Sequence, residues 1–320
     1  MNPGIPDIPG NKLLVLGRDA DVIASGIEAC GLGIDVRARE FADVVAADLA
    51  DRDTLLAFRI PAHIADAAGG LSWVQSTGAG VDGILACPTL RADVLLTRLV
   101  GVFERHMAEY VLARVLAITQ CMTRLERDRR AKSWAPFHPR LVRDLRITVL
   151  GVGVIGSAIA RALRAFGASV VGVSRGGAAV DGIDRVVAID ALTEVLPATD
   201  VLVVVVPNTA RTRGLLDRAA LERLPAGAWV INVARGSIID ESALVDLLRE
   251  RHLGGVALDV FRDEPLPAAS PLWELDDVLF SPHVAGLTTA QDAIDAFVGN
   301  WRRLARGEPA IGVVDRARGY

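Results

Sequence analysis

Two hydrophobic rhythms alternate along this chain, short apolar runs and longer amphipathic stretches. The runs "KLLVLG" from Lys12, "TLLAF" at 54–58 and "LSWVQST" at 71–77 read as strands, and the stretches near 20–31 and 61–68 read as helices. That order implies a parallel sheet wrapped by helices. A long helical pattern at 104–130 is apolar at Met107, Val111, Val115 and Ile118 and strongly charged at its end, as expected of a connector between domains. "RRAKSWAPFHPR" then breaks the period with two prolines and exposes Trp134 and Phe137. A second series of strands begins at "RITVLG" and continues at 169–173, 201–206, 229–233, 256–258 and 278–280, which predicts a six-stranded, doubly wound Rossmann-type sheet. The final helical stretch, 288–306, is expected to cross back to the first domain. The expected fold class is therefore α/β. A smaller flavodoxin-like α/β substrate domain takes residues 1–98 and 288–320, and a dinucleotide-binding Rossmann domain takes 99–287.

Composition narrows the function classes. A chain of 320 residues that is 51% hydrophobic can build two domains, each with its own core. A net charge of -4 offers no general attraction for nucleic acid or anionic lipid, so neither is expected as a partner. Basic charge is almost all arginine, since only Lys12 and Lys132 are lysines, and it reads as solvated surface. Cys30, Cys87 and Cys121 are widely spaced and form no CxxC pair, which suggests neither a disulfide framework nor a metal site and fits a reduced cytoplasm. The opening "MNPGIPDIPGNK" lacks the basic and apolar regions of a secretory leader, and the longest aliphatic run, "VLVVVV" at 201–206, is far too short to span a bilayer. A soluble protein is expected.

The segment "ITVLGVGVIGSAIARAL" places Gly151, Gly153 and Gly156 between a strand and a helix. The first glycine permits the tight turn, the second lets the backbone approach a pyrophosphate, and the third lets helix pack closely on strand. The helix N-terminus then faces the phosphates. Some 18 residues after Gly156, at the tip of the next strand, an NAD site carries an Asp or Glu for the ribose, whereas "GVSRGG" offers Ser174 and Arg175. A hydroxyl and a guanidinium suit an adenosine 2'-phosphate, which favours NADP over NAD. The alternative is that Arg175 is a solvated loop arginine.

Three later segments combine into a sharper signal: "INVARGSIID" carries Arg235, "LDVFRDEPLP" carries Asp259 and Glu264, and "FSPHVAG" carries His283. With these motifs in this order the chain resembles the D-isomer-specific 2-hydroxyacid dehydrogenase family, whose catalytic set is an Arg, a Glu and a His. "QSTGAGVDG", "MAEYVL", "VPNTARTRGLL", "EPLPAASPLW" and the tail "VDRARGY" extend the likeness over essentially the whole chain, and toward the family's glyoxylate/hydroxypyruvate reductase A branch. The resemblance implies that backbone N–H groups of Ala79, Gly80 and Val81 cradle a substrate carboxylate, and that Asp259 orients the nicotinamide carboxamide. It also implies that Val154, Ile155, Val206, Pro207, Thr212, Val233, Ala234 and Ala285 belong to the cofactor site with Arg235 and His283. The reaction is expected in a cleft between the domains of a homodimer, with Trp134 a candidate wall of the neighbouring subunit's substrate pocket.

The chemistry supports the catalytic roles apart from the family. Reducing a 2-oxo acid needs a hydride, a proton for the developing alkoxide, and a cation for the carboxylate and the ketone. A histidine titrates near neutrality, so His283 can supply the proton, with Glu264 orienting it. Arg235 has the planar fork suited to a carboxylate and to a carbonyl oxygen gaining charge. The leading expectation is NADPH-dependent reduction of glyoxylate, hydroxypyruvate or a similar small 2-oxo acid. Two alternatives stand: an NAD-dependent dehydrogenase of a bulkier 2-hydroxy acid or of phosphoglycerate, and a dinucleotide-sensing binding protein.

Overall fold

The computed structural model describes residues 10–320; most of the opening segment read for a leader falls in residues 1–9, outside the described residues. The chain forms two compact units, one running to Val102 and resuming at Thr288–Tyr320, the other spanning Phe103–Leu287.

The first unit is built on five parallel strands, β1 (Lys12–Leu16), β2 (Asp35–Arg39), β3 (Thr54–Ala57), β4 (Trp73–Ser76) and β5 (Leu95–Thr97). Their order, β2-β1-β3-β4-β5, is that of flavodoxin-like sheets. Every residue of β3 and β4 is buried, as central parallel strands between two helical layers require. Two of the five strands, β2 and β5, were not predicted. β2 reads "DVRAR" and is only partly covered, and β5 has only three residues, too few to display a strand period. The 61–68 helix forms as a 3-10 helix over Ala62–Gly70, a segment opened by Pro61 and closed by two glycines. One face of the sheet buries Leu14, Leu55, Ile64 and Val74. The other packs Leu13, Val15 and Trp73 against Phe297 and Trp301 of the helix Ala290–Ala305, with the Trp73 and Phe297 rings stacked at 4.9 Å. Buried Gln75 anchors that helix, its Oε1 accepting from Thr97 Oγ1 at 2.7 Å and Asn300 Nδ2 at 2.9 Å.

The second unit carries seven parallel strands, one more than expected: β6 (Arg146–Leu150), β7 (Ser169–Ser174), β8 (Arg185–Ala188), β9 (Val201–Val204), β10 (Trp229–Asn232), β11 (Gly255–Leu258) and β12 (Val278–Phe280). The additional strand, β8, reads "RVVA" and lies at the sheet edge, where its short apolar run is only partly buried. The order β12-β11-β10-β9-β6-β7-β8 reverses direction at β6, between β7 and β9, and ligands of such sheets bind at the carboxyl ends of the strands beside that reversal. Leu202, Val204, Val230, Leu244 and Val256 belong to the main core. The expected 104–130 helix is two helices, Glu104–Thr119 and Met122–Arg130, separated by Cys121 in the left-handed conformation at φ 51°. The first packs on the helix Val154–Ala165 and the second buries no residue. A change in one residue's φ leaves no trace in hydrophobic periodicity. Among the described residues no helix is long and apolar enough to cross a membrane, and no group of His, Cys, Asp and Glu could hold a metal ion.

Candidate active site

The carboxyl end of β6 carries the glycine turn, and its three glycines face three different environments. Gly151 has φ 107°, and a Cβ there would lie 2.8 Å from the Val205 carbonyl oxygen. At Gly156 a Cβ would lie 1.8 Å from the Gly151 carbonyl oxygen, inside the turn itself. At Gly153 no atom comes within 4 Å, so the middle glycine opens onto free space directly before the helix Val154–Ala165. Val154 is exposed and Ile155 half-buried at that helix start. Open space at the N-terminus of a twelve-residue helix suits an anion such as a pyrophosphate.

The neighbouring strand ends supply the remaining predicted cofactor residues. Ser174 closes β7, and its Oγ accepts the Gly177 N–H at 3.0 Å, which leaves the hydroxyl proton to donate elsewhere. Arg175 is exposed and, among the described residues, makes no ion pair or hydrogen bond. Beyond β9, Val206 is buried and Pro207 exposed. Thr212 is buried with its hydroxyl engaged in its own loop, donating to Pro207 O at 2.6 Å and accepting from Thr209 N at 2.9 Å.

The three predicted catalytic residues follow β10, β11 and β12. After β10, Asn232 builds the Arg235 turn: its Nδ2 donates to Arg235 O at 3.0 Å and its Oδ1 accepts from Ala234 N at 3.0 Å. Val233 and Ala234 are buried there, and Arg235 Nη1 donates to Ala234 O at 2.7 Å. Gly236 lets this turn rest against the next one, since a Cβ would stand 1.9 Å from the Phe261 carbonyl carbon. Glu264 accepts the Phe261 N–H at 3.0 Å through Oε1 and faces His283 Nδ1 at 2.8 Å through Oε2. Burial works to raise the Glu264 carboxyl. The hydrogen bonds from His283 and the Phe261 amide, together with the charges of His283 and Arg235, outweigh it and hold the pKa below the usual 4.5. An ionised carboxylate only accepts, so Nδ1 carries a proton.

His283 sits at φ 54°, a left-handed conformation rare outside glycine, on a turn clamped by Asp259. Asp259 is 1% exposed; Oδ1 accepts from Ser281 Oγ at 2.7 Å and Val284 N at 2.8 Å, and Oδ2 accepts from Ala285 N at 2.9 Å. Its main-chain oxygen accepts the His283 N–H at 2.8 Å. The hydroxyl of Tyr110 lies 2.6 Å from Ser281 Oγ and must donate, because Ser281 spends its own proton on Asp259.

In the first unit, the loop after β4 has its carbonyl groups drawn inward. Thr77 O accepts from Thr288 Oγ1 at 2.6 Å, Gly78 O from Leu99 N at 3.1 Å, Ala79 O from Arg98 Nη1 at 3.3 Å and Gly80 O from Ser76 Oγ at 3.1 Å. A trans peptide points its C=O and N–H to opposite sides. The amides of Ala79, Gly80 and Val81 consequently face away from these partners, and among the described residues they find no acceptor. Three successive N–H groups without an acceptor among the described residues are donors of the kind an anion requires.

Residues 112–285 match the family profile described as D-isomer specific 2-hydroxyacid dehydrogenase, NAD binding domain. A glyoxylate/hydroxypyruvate reductase A of Serratia proteamaculans (strain 568) is 35% identical over 274 residues, 84% of this chain and 88% of that protein. The chain belongs to the D-isomer specific 2-hydroxyacid dehydrogenase family. Among solved 2-hydroxyacid dehydrogenases, one from Xanthobacter autotrophicus Py2 in complex with NADPH and MES is similar at TM-score 0.87 and 36% identity, covering 97% of this chain and 100% of that one. The NADPH-dependent glyoxylate/hydroxypyruvate reductase of Sinorhizobium meliloti, in complex with NADP and sulfate, is similar at TM-score 0.88 and 28% identity, with the same coverage.

Several groups in this 2-hydroxyacid dehydrogenase went unnoticed in the sequence. Asn232, Gly236, Ser281 and Tyr110 shape the turns of the second unit, and Ser76, Arg98 and Thr288 hold the carbonyl groups of the loop after β4. Tyr110 left a faint signal, a polar tip beside the apolar positions Met107 and Val111. Gly236, Ser281, Arg98 and Thr288 meet partners far away in sequence, whereas Asn232 and Ser76 close their own turns within four residues. Trp134, expected as a pocket wall, is 95% exposed.

Proposed function

We propose that this dehydrogenase uses NADPH to reduce glyoxylate, hydroxypyruvate or a similar small 2-oxo acid to the 2-hydroxy acid. The observation that carries the reading is the 2.8 Å pairing of His283 Nδ1 with Glu264 Oε2 on a turn clamped by Asp259. The names of the relatives from Serratia and Sinorhizobium support the substrate class, and the NADPH and NADP bound by its structural neighbours support the cofactor.

The residues fit a dinucleotide. The open space at Gly153, between the crowded Gly151 and Gly156, admits a pyrophosphate onto the helix that starts with Val154 and Ile155. Ser174 and Arg175 take the 2'-phosphate. Val206, Pro207, Thr212, Val233, Ala234 and Ala285 line the rest of the cofactor site, and Asp259 keeps one acceptor position on Oδ2 for the carboxamide. The bound nicotinamide supplies the hydride for the ketone carbon. His283 Nε2 delivers the proton to the ketone oxygen, and Glu264 stabilises the imidazolium before transfer and keeps the ring aligned. Arg235 polarises the carbonyl, and the amides of Ala79, Gly80 and Val81 take the carboxylate. The reading includes a cytoplasmic homodimer in which the fully solvated Trp134 indole is available to a neighbouring subunit.

The test is loss of NADPH absorbance with a panel of 2-oxo acids running from glyoxylate to bulkier side chains, repeated with NADH. Fast turnover of glyoxylate or hydroxypyruvate with NADPH is expected. Preference for NADH and a bulky acid would replace this reading with an NAD-dependent dehydrogenase. Cofactor binding without turnover of any acid would leave a sensor protein.

A further inference from the structure

Arg98 stands behind the amides of Ala79, Gly80 and Val81 in the first unit. Its backbone is fixed where β5 ends: Arg98 N donates to Gly312 O at 2.9 Å, and a Cβ on Gly312 would lie 2.3 Å from Arg98 O. From there the guanidinium reaches Ala79 O through Nη1 at 3.3 Å, the only hydrogen bond its side chain makes among the described residues. No Asp or Glu carboxylate among the described residues forms an ion pair with it. Burial pushes the Arg98 pKa down from the usual arginine range, and negative charge at Tyr320 only partly offsets that. A half-buried cation with so little compensation gains from an anion nearby.

The peptide geometry says where that anion sits. Because Ala79 O points to Arg98, the N–H of Gly80 in the same peptide points the opposite way. A cation on the carbonyl oxygen draws electron density through the amide and strengthens its N–H as a donor. We propose that Arg98 is a positioning residue of the carboxylate site, locking the 79–80 peptide with its N–H outward and sharpening selectivity for carbonyl substrates that carry a carboxylate. The proposal rests on reading the amides of Ala79, Gly80 and Val81 as the seat of the substrate carboxylate.

The experiment compares wild type, Arg98→Gln and Arg98→Lys as NADPH-bound, 15N-labelled enzymes titrated with oxamate, a non-reacting 2-oxo acid analogue. The Gly80 and Val81 amide resonances are followed, and kcat and KM for glyoxylate are measured alongside. In wild type both amides should shift as oxamate binds. Arg98→Gln should raise the oxamate Kd and the glyoxylate KM about tenfold, with kcat and NADPH affinity within about twofold. Arg98→Lys, which keeps the charge but not the fork, should recover most of that loss. If oxamate shifts neither amide in wild type, the carboxylate reading fails and the role of Arg98 falls with it. Wild-type oxamate affinity in both variants, with the amides still shifting, overturns Arg98 alone. So does a parallel loss of kcat, NADPH affinity and oxamate affinity, which would make Arg98 a general strut of the fold.

Discussion

Replacing Arg175 by alanine tests the cofactor preference at its physical origin. Arg175 follows the last residue of β7, is exposed, and has no protein partner to release among the described residues. At Gly176 a Cβ would meet nothing within 4 Å, so the loop leaves room for a phosphate group. A charge-assisted hydrogen bond contributes about 1.5–3 kcal/mol, and solvent screening at an exposed site points to the lower end. NADPH should therefore bind about tenfold more weakly in Arg175→Ala. NADH has no 2'-phosphate, so its binding should hold. Ser174→Asp should go further, since the carboxylate can still accept the Gly177 N–H while offering a ribose acceptor and repelling the phosphate. The assay is the ratio of kcat/KM for NADPH and NADH with one 2-oxo acid at fixed ionic strength, because salt screens the contact. Equal weakening of both cofactors would refute the reasoning and make Arg175 a support of the loop; no change in either would make it a surface arginine.

Other expectations follow from the His283 turn. His283→Ala should lower turnover by about a hundred to ten thousand times while NADPH binding survives, as fluorescence titration would show. The Glu264 carboxyl is held below 4.5, so its contribution to stability is complete above that value and is lost as pH falls through its lowered folded value. The difference in Tm between wild type and Glu264→Gln should accordingly be steady near neutrality and shrink in acid. Ser281→Ala deprives buried Asp259 of one donor and Tyr110 of its acceptor, and should destabilise the protein by about 2–3 kcal/mol in denaturant unfolding. Ser281→Thr, which keeps the hydroxyl, should cost much less.

Local chemistry made half of this protein readable in advance. The glycine turn, the central strands and the Arg235, Glu264 and His283 motifs each depend on neighbours within a few residues, so spacing and residue type suffice to recognise them. "VLVVVV" could only be a buried strand in so polar a neighbourhood, and Gly151 and Gly156 are required by contacts within their own strand-turn-helix segment and the strand beside it. Edge strands were lost for the opposite reason. β2, charged at alternate positions, and β8, with the short half-buried run "RVVA", each have a sheet partner on one side only, so pairing with β1 and β7 is what fixes them as strands. The break at Cys121 depends on one dihedral, which periodicity averages away.

The same division runs through the candidate site. That Glu264 lies nineteen residues before His283 is sequence, but the 2.8 Å contact between them depends on β11 and β12 pairing side by side. Asp259 was expected to serve the cofactor, and folding also makes it the clamp of the His283 turn, through a serine 22 positions away and, beyond it, Tyr110 on a distant helix. Arg98 is nineteen positions from Ala79, and nothing in either neighbourhood announces that one will hold the other's carbonyl. Sequence carries the identity of reacting groups because their chemistry is intrinsic to the side chain. Their orientation comes from hydrogen bonds closed across long loops, and only the folded chain brings those partners within reach.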